Sequence, residues 1–204
     1  IHGKYKIPLH KIHVIRGGVD TNKFKPFPSR FKKEKFIVLY SGAFSVAYDF
    51  EQVLRAAKLL ETEKDIQIIL QGGGEMLPYI KKRVNELQLK NIKIVDKILS
   101  REEVAKLLNQ ADVLLLSLKD FGRPYLGISS KIYEYQAIGK PIICCAEGQP
   151  AEYIQETRLG IVVKPGDYKK LANTIKYLKN SPKIYQKLSE NGKNYVLKLS
   201  LIHI

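Results

Sequence analysis

The segment richest in chemistry is Gly127-Ile128-Ser129-Ser130-Lys131-Ile132-Tyr133-Glu134-Tyr135-Gln136-Ala137-Ile138-Gly139-Lys140-Pro141. Ser129 or Ser130 is placed to cap a helix, and the unpaired amides behind such a cap make an anion site. Lys131 follows in the first turn, where the helix dipole disfavours a cation, so an anionic ligand would account for it. Glu134 lies one turn further along on the same side. A carboxylate there can accept hydrogen bonds from two vicinal hydroxyls, as on a ribose. The same spacing fits an ordinary Lys131–Glu134 pair at i,i+3, worth about 0.2–0.5 kcal/mol, and spacing by itself leaves both readings open.

Two glycine turns are the other candidates. Ser41-Gly42-Ala43-Phe44-Ser45 follows an apolar run, and a small residue at 42 lets backbone amides come close to a phosphate; a plain tight turn fits equally well. Gly72-Gly73-Gly74 follows the next apolar run. It matches neither the Gly-x-Gly-x-x-Gly fingerprint nor a phosphate loop ending in Gly-Lys-Ser/Thr. It says that backbone there approaches something closely, such as a base or ribose. Cys144 and Cys145 are adjacent in an apolar run, and on a strand neighbours face opposite ways, so they read as buried free thiols and not as a disulfide framework. His2, His10, His13 and His203 lie near the ends with no metal-ligand spacing, and no metal site is expected.

The elements that must position these residues are legible as alternating patterns. Buried strands are expected at Phe36–Tyr40, Ile66–Leu70, Ile92–Val95, Asp112–Leu116, Pro141–Cys145 and Gly160–Val163, with a short one near Ile12–Arg16. Asp49 with Gln52, and Ser100 with Glu103, each have capping-box spacing. Helices are expected after both, over Glu75–Leu89, over 130–138 closed by Gly139, over Gln149–Glu156, over Asp167–Lys179, and from Ser181-Pro182 onward. Strands this apolar are covered on both faces. Strand–helix alternation at this spacing gives an α/β fold with a doubly wound parallel sheet, Rossmann-like. In such sheets ligands bind beyond the carboxyl ends of the strands, where the glycine turns and the Ser129–Glu134 segment fall.

Composition agrees with one globular domain over residues 1–204: 45% hydrophobic, 27% charged, and no apolar run long enough to span a bilayer. The opening Ile1-His2-Gly3-Lys4 suggests a piece of a longer chain. The net charge of +15 is uneven. A basic leading segment, residues 1–35, carries ten basic and two acidic side chains, net +8; residues 164–204 carry nine and two, net +7; the body between them is neutral. The organisation is therefore a leading segment 1–35, an α/β core 36–166, and C-terminal helices 167–204. The basic ends are mostly Lys and have no interleaved aromatics, which argues against nucleic acid as a partner. A solvated lysine surface or attraction to an anionic membrane surface fits them better.

From Ile12 onward the chain resembles the C-terminal, nucleotide-sugar-binding half of GT-B glycosyltransferases of family 4, in particular a surface-polysaccharide subgroup with Ser-Lys ahead of its glutamate. Five segments carry the resemblance in the family's order: Val14-Ile15-Arg16-Gly17-Gly18-Val19-Asp20 with Phe24; Tyr40-Ser41-Gly42; Leu70-Gln71-Gly72-Gly73-Gly74-Glu75; Glu134-Tyr135-Gln136-Ala137-Ile138-Gly139-Lys140-Pro141; and Gly160-Ile161-Val162-Val163-Lys164-Pro165-Gly166-Asp167. The resemblance implies transfer of a sugar from a nucleoside diphosphate, with retention and without a metal or other cofactor, UDP being the expected nucleotide. It implies that Gly42, Ala43, Ser129, Ser130 and Lys131 hold the pyrophosphate, Glu134 the ribose, and Gly72, Gly73, Lys97 and Ile98 lie by the base. It further implies an acceptor-binding N-terminal domain outside these residues, no turnover by 1–204 alone, and a cytoplasmic location, with peripheral attachment to the membrane face through the basic ends. Alternatives are a nucleotide-sugar 2-epimerase of the same architecture and a non-catalytic nucleotide- or anion-binding module.

The chain departs from the family pattern at three places. Leu126 stands where a first glutamate is usual, leaving the catalytic residue unassigned and Asp120 as a displaced candidate. Ala43 stands where Arg is common, and Asp49-Phe50 where Lys-Gly is common. Arg123 and Lys131 are the candidates to restore the missing charge.

Overall fold

The computed structural model describes residues 2–13, 17–27 and 34–200. Six parallel strands form one sheet in the order β3-β2-β1-β4-β5-β6: β1 Phe36–Ser41, β2 Ile66–Gln71, β3 Ile92–Val95, β4 Val113–Ser117, β5 Ile142–Cys145 and β6 Gly160–Val163. The helices are α1 His2–Tyr5, α2 Phe50–Leu59, α3 Leu77–Glu86, α4 Arg101–Gln110, α5 Ser130–Ile138, α6 Gln149–Thr157, α7 Tyr168–Asn180 and α8 Pro182–Ser200.

The sheet is central because its inner strands have no polar face. Val38 and Tyr40 of β1, Val113 and Leu115 of β4, and Ile143 and Cys145 of β5 enter one core with α2, α3 and α7. Their neighbours Leu39, Leu114, Leu116, Ile142 and Cys144 enter the other with α4, α5 and α6. The two cysteines are thus free, buried and on opposite faces, and burial pushes the Cys144 thiol up to about 12. Each fully buried aliphatic side chain is worth about 1.5–3 kcal/mol relative to exposure, so β4, buried along its whole length, anchors both layers.

The order in which strands are added reverses between β1 and β4, giving the crevice at which open α/β sheets bind ligands. Helix starts around it are fixed locally. Asp49 accepts from the Gln52 amide, and Ser100 and Glu103 form a complete capping box. α5 ends at Gly139, whose left-handed φ of 70° closes the helix just before Pro141.

Three expectations are corrected. Gln52 does not complete a box with Asp49: its side chain reaches the Lys164 carbonyl (3.1 Å) and accepts from Ser117 Oγ (3.1 Å). α3 is shorter than Glu75–Leu89. Glu75 Oε1 accepts the Val46 amide (3.1 Å), and Met76 N–H bonds the Phe44 carbonyl (2.9 Å), so both residues serve the loop after β1. At the other end Gln88 takes φ of 53° and stops the helix. The leading segment forms α1 and a 3₁₀ turn at Leu9–Lys11. Ile12 and His13 are not in a strand, and Val14 to Arg16, the rest of the expected one, lie outside the described residues.

Candidate functional site

A polar relay runs under the crevice, across the ends of three strands. Register sets Ser41 of β1 beside Gln71 of β2, and Gln71 beside Val95 of β3. Ser41 Oγ bonds Gln71 Oε1 (2.5 Å), and Gln71 Nε2 donates to the Lys97 carbonyl (2.7 Å). From the helix side, the Tyr135 hydroxyl accepts the Ser41 amide (3.2 Å). Burial pushes the Tyr135 phenol well above its usual range, so it stays neutral. α5 is thereby tied to the end of β1, and the residues preceding Tyr135 in α5 are aimed at the loop beyond Ser41.

That loop needs glycine. Gly42 and Gly72 have φ of 141° and 139°, which L side chains rarely adopt. A β-carbon on Gly72 would overlap the Gly42 carbonyl oxygen, and one on Gly42 would overlap Lys131 Cε. The two turns are therefore packed backbone to backbone, with the lysine arm lying across the first. Beneath them Tyr40, Phe44, Tyr48 and Phe50 pack in edge and tilted contacts, with centroids 5.2–6.2 Å apart. Tyr40 Oη donates to the Ala43 carbonyl (2.5 Å), fixing the turn. Lys131 Nζ donates to Tyr48 Oη (3.1 Å) and lies 5.0 Å and 5.8 Å from the Tyr48 and Tyr40 ring centroids. The ammonium is steered by aromatic faces and one neutral hydroxyl. Its charge has no carboxylate partner among the described ion pairs.

Glu134 is likewise not paired with Lys131. Its Oε1 lies 3.2 Å from Arg101 Nη2, and its side chain is 19% exposed. The Arg101 guanidinium lies over the Phe24 ring (4.9 Å), so three distant segments meet at one carboxylate. The ordinary i,i+3 pair left open by the spacing is not formed.

One cavity of about 370 Å³ gathers Ser41, Gly42, Ala43, Gln71, Gly72, Gly73, Lys97, Ile98, Arg101, Ser130, Lys131 and Glu134, with Phe24, Leu99 and Val104 as its apolar wall. Most of the residues singled out from the sequence thus share one space. Ser129 and Arg123 do not line it. Ser129 is the N-cap of α5 by backbone, but its side chain makes no cap hydrogen bond. Ser130 takes the cavity side. Arg123 lies exposed on the β4–α5 loop, and Leu126 on that loop is 84% exposed. Asp120 Oδ1 accepts the Gly122 amide (2.7 Å) as part of the turn, outside the cavity. Lys97 has its N–H bonded to Val95 (3.0 Å) and its carbonyl to Gln71. Ile98, 93% exposed, is the freer of that pair.

Sequence reasoning missed Arg101, Gln71 and Tyr48. Arg101 carried a signal: the Ser100–Glu103 box makes it the first residue of α4, directly after the β3 turn. Among the described residues no three His, Cys, Asp or Glu side chains converge as metal ligands, and no helix is long and apolar enough to cross a membrane.

Comparison with known proteins agrees with this architecture. The sequence pattern of the family described as Glycosyl transferases group 1 matches residues 21–195. The MMP alpha-(1->4)-mannosyltransferase of Mycolicibacterium hassiacum is 27% identical over 190 residues, 93% of this chain and 44% of that protein. The C-terminal domain of the group 1 family protein LpcC from Francisella tularensis superposes with a TM-score of 0.73 at 20% identity, covering 89% of this chain and 97% of that one. Anabaena HepE, solved in complex with UDP, superposes with a TM-score of 0.75 at 19% identity, over 89% of this chain and 51% of HepE. The chain spans about half the length of the curated relatives it matches.

Proposed function

The chain belongs to the group 1 glycosyl transferases, and on that premise we propose that it is the donor-binding domain of a retaining enzyme moving a sugar from a nucleoside diphosphate to a polysaccharide, glycolipid or similar acceptor. The observation that carries the reading is the meeting of Gly42 after β1, Gly72 after β2, and Lys131 and Glu134 of α5, from three separate segments, in one cavity at the sheet's crevice. Lys131 and the first amides of α5 take the pyrophosphate, with Gly42 and Ala43 giving it backbone clearance. Glu134 takes the ribose hydroxyls. Gly72, Gly73 and Ile98 flank the base. UDP is the expected nucleotide, which HepE's bound UDP supports.

In the transfer, the bond from the sugar's anomeric carbon to the β-phosphate breaks and the acceptor oxygen forms the new bond to that carbon. The acceptor's proton ends on the departing phosphate. Charge grows on the leaving pyrophosphate, and a preorganised ammonium and helix amides stabilise it as it forms. The acceptor side belongs to a further domain of the parent protein, so this chain alone binds donor without turnover. An epimerase is not favoured: it needs an acid and a base at the sugar, and His10 and His13 are exposed in the leading segment.

The test is calorimetric titration with UDP. Glu134→Gln should weaken binding about 10- to 150-fold, the scale of a charged hydrogen bond. An unchanged dissociation constant would remove Glu134 from the donor site.

We also propose cytoplasmic attachment to an anionic membrane face through the basic ends. Supporting it, Pro26 and Phe27 of the leading segment and Tyr185, Gln186, Ser189 and Glu190 of α8 line one groove of about 520 Å³, so the end of the leading segment lies beside α8. Each Lys or Arg near such a surface contributes about 1 kcal/mol. The chain should sediment with anionic vesicles at low salt, stay free of neutral ones, and be released as salt rises. Equal partition to both vesicle types would refute it.

A further inference from the structure

The reading of Glu134 as the ribose acceptor, on which this section rests, leaves one of its oxygens already engaged. Arg101 Nη2 stands 3.2 Å from Oε1. The guanidinium lies over the Phe24 ring, 4.9 Å away, and Phe24 is fully buried with its amide bonded to the Asp20 carbonyl (2.9 Å). The neighbouring Lys23–Glu102 pair (2.9 Å) and the bonds from Asn109 to Phe27 N–H (2.7 Å) and the Lys25 carbonyl (3.0 Å) strap this stretch along α4. Arg101 is thus placed on the carboxylate by the fold, before any nucleotide arrives.

This changes what the site asks of a ribose. A partly buried carboxylate whose only partners are the 2′- and 3′-hydroxyls is left under-compensated when one hydroxyl is missing. Sites built that way reject the deoxy ligand strongly, because a desolvated polar group is then unpaired. Here Oε1 keeps its charged partner whatever enters. Only Oε2 is left to be satisfied, and a single hydroxyl can do it. We propose that Arg101 is a positioning residue that makes the donor site tolerant of 2′-deoxyribonucleoside diphosphates alongside the ribonucleotide forms. The nucleoside class admitted is then wider than a lone ribose-reading glutamate would allow.

The experiment is titration of the chain with UDP and with 2′-deoxy-UDP, on wild type, Arg101→Gln, Arg101→Lys and Glu134→Gln. Arg101 is 57% exposed, so its replacement is not expected to unfold the chain, and thermal melts check that. The readout is the ratio of the two dissociation constants, which a general loss of stability does not move. Wild type should bind the two ligands within about threefold, since the remaining hydroxyl can take the oxygen that Arg101 leaves free and no carboxylate oxygen goes without a partner. Arg101→Gln should open the ratio to about tenfold or more, as expected for an exposed charge deficit. Arg101→Lys should fall between them, keeping the charge without the planar fork. A wild-type ratio above about tenfold, or the same ratio in wild type and Arg101→Gln, overturns the proposal while leaving the donor reading intact. Glu134→Gln binding UDP as tightly as wild type, or no binding of UDP, overturns the donor reading and this inference together.

Discussion

Gly42→Ala separates the two jobs assigned to the first glycine turn. The new β-carbon would overlap Lys131 Cε and lie 2.5 Å from its Nζ, at a φ of 141°. The backbone strain costs about 1–3 kcal/mol of stability. The clash itself is relieved cheaply, because the lysine arm is long and can swing away. But swinging it takes the ammonium off the phosphate position, and a charged hydrogen bond of about 1.5–3 kcal/mol is lost from binding. UDP affinity should therefore fall about 10- to 150-fold. Lys131→Gln should lose a similar amount for the same reason. If both variants remove one interaction, the double variant should bind scarcely worse than either single one, with a coupling of about 1–3 kcal/mol. Calorimetric titration of the three variants measures the cycle, and urea denaturation measures stability separately. Strictly additive losses in affinity would show that Gly42 and Lys131 act independently and would refute the packing argument. Unchanged UDP affinity in Gly42→Ala would refute the role of the turn altogether.

Three further outcomes follow from other parts of the structure. Gly72→Ala meets backbone instead of a flexible arm, the Gly42 carbonyl, so it should cost about 2–4 kcal/mol and lower the urea midpoint; an unchanged midpoint would contradict the close approach. Hydrogen bonding to Arg83, above all, holds the Glu51 carboxyl below its usual range against the opposing effect of burial, with a smaller contribution from Tyr79. A lowered folded-state pKa means stability that is present above the ordinary carboxylate range and lost as pH falls through the lowered value. Solvent reaches the pair, so Glu51→Gln should cost only about 0.5–1 kcal/mol at neutral pH, with the gap to wild type closing in strong acid; a constant gap would exclude the linkage. Burial raises the Cys144 thiol to about 12 and the Cys145 thiol well above its usual range. A thiol reagent at neutral pH should therefore label neither in the folded chain and both after denaturation.

The sheet was legible because its signal is local. Each strand is an apolar run, interrupted by an exposed charge only at Lys93 of the edge strand β3, and most strand ends fall within a residue of the expected ones. α4 and α5 were legible from a cap, a stripe and a closing glycine. What was not legible depends on partners far along the chain. Glu75 looks like a first-turn residue of α3 until its carboxylate is seen on the Val46 amide, 29 residues away. Gln52 looks like half of a capping box until Ser117 and the Lys164 carbonyl take its amide group, 65 and 112 residues away. In both cases a long-range bond at the crevice outcompetes the local one, because it satisfies groups where the helix ends and strand ends meet.

The same principle explains the site. Sequence reasoning found the cavity's glycines, Lys131 and Glu134 from their spacing and resemblance, and counted Ala43, Asp49 and Phe50 as lost charge. In the structure those three positions are otherwise employed. The Ala43 carbonyl accepts Tyr40 Oη, Asp49 caps α2, and Phe50 is buried among Tyr40, Phe44 and Tyr48. The loop that would carry a cationic clamp is built as an aromatic platform, and Tyr48 on that platform receives Lys131 from α5, 83 residues away. On the donor reading the positive charge has not been lost: it has moved to the opposite wall of the crevice, and the tyrosines hold it there without neutralising it. A carboxylate in place of Tyr48 would also hold the lysine, but it would cancel the charge the pyrophosphate needs. A neutral hydroxyl and two ring faces orient the ammonium and leave its charge for the ligand.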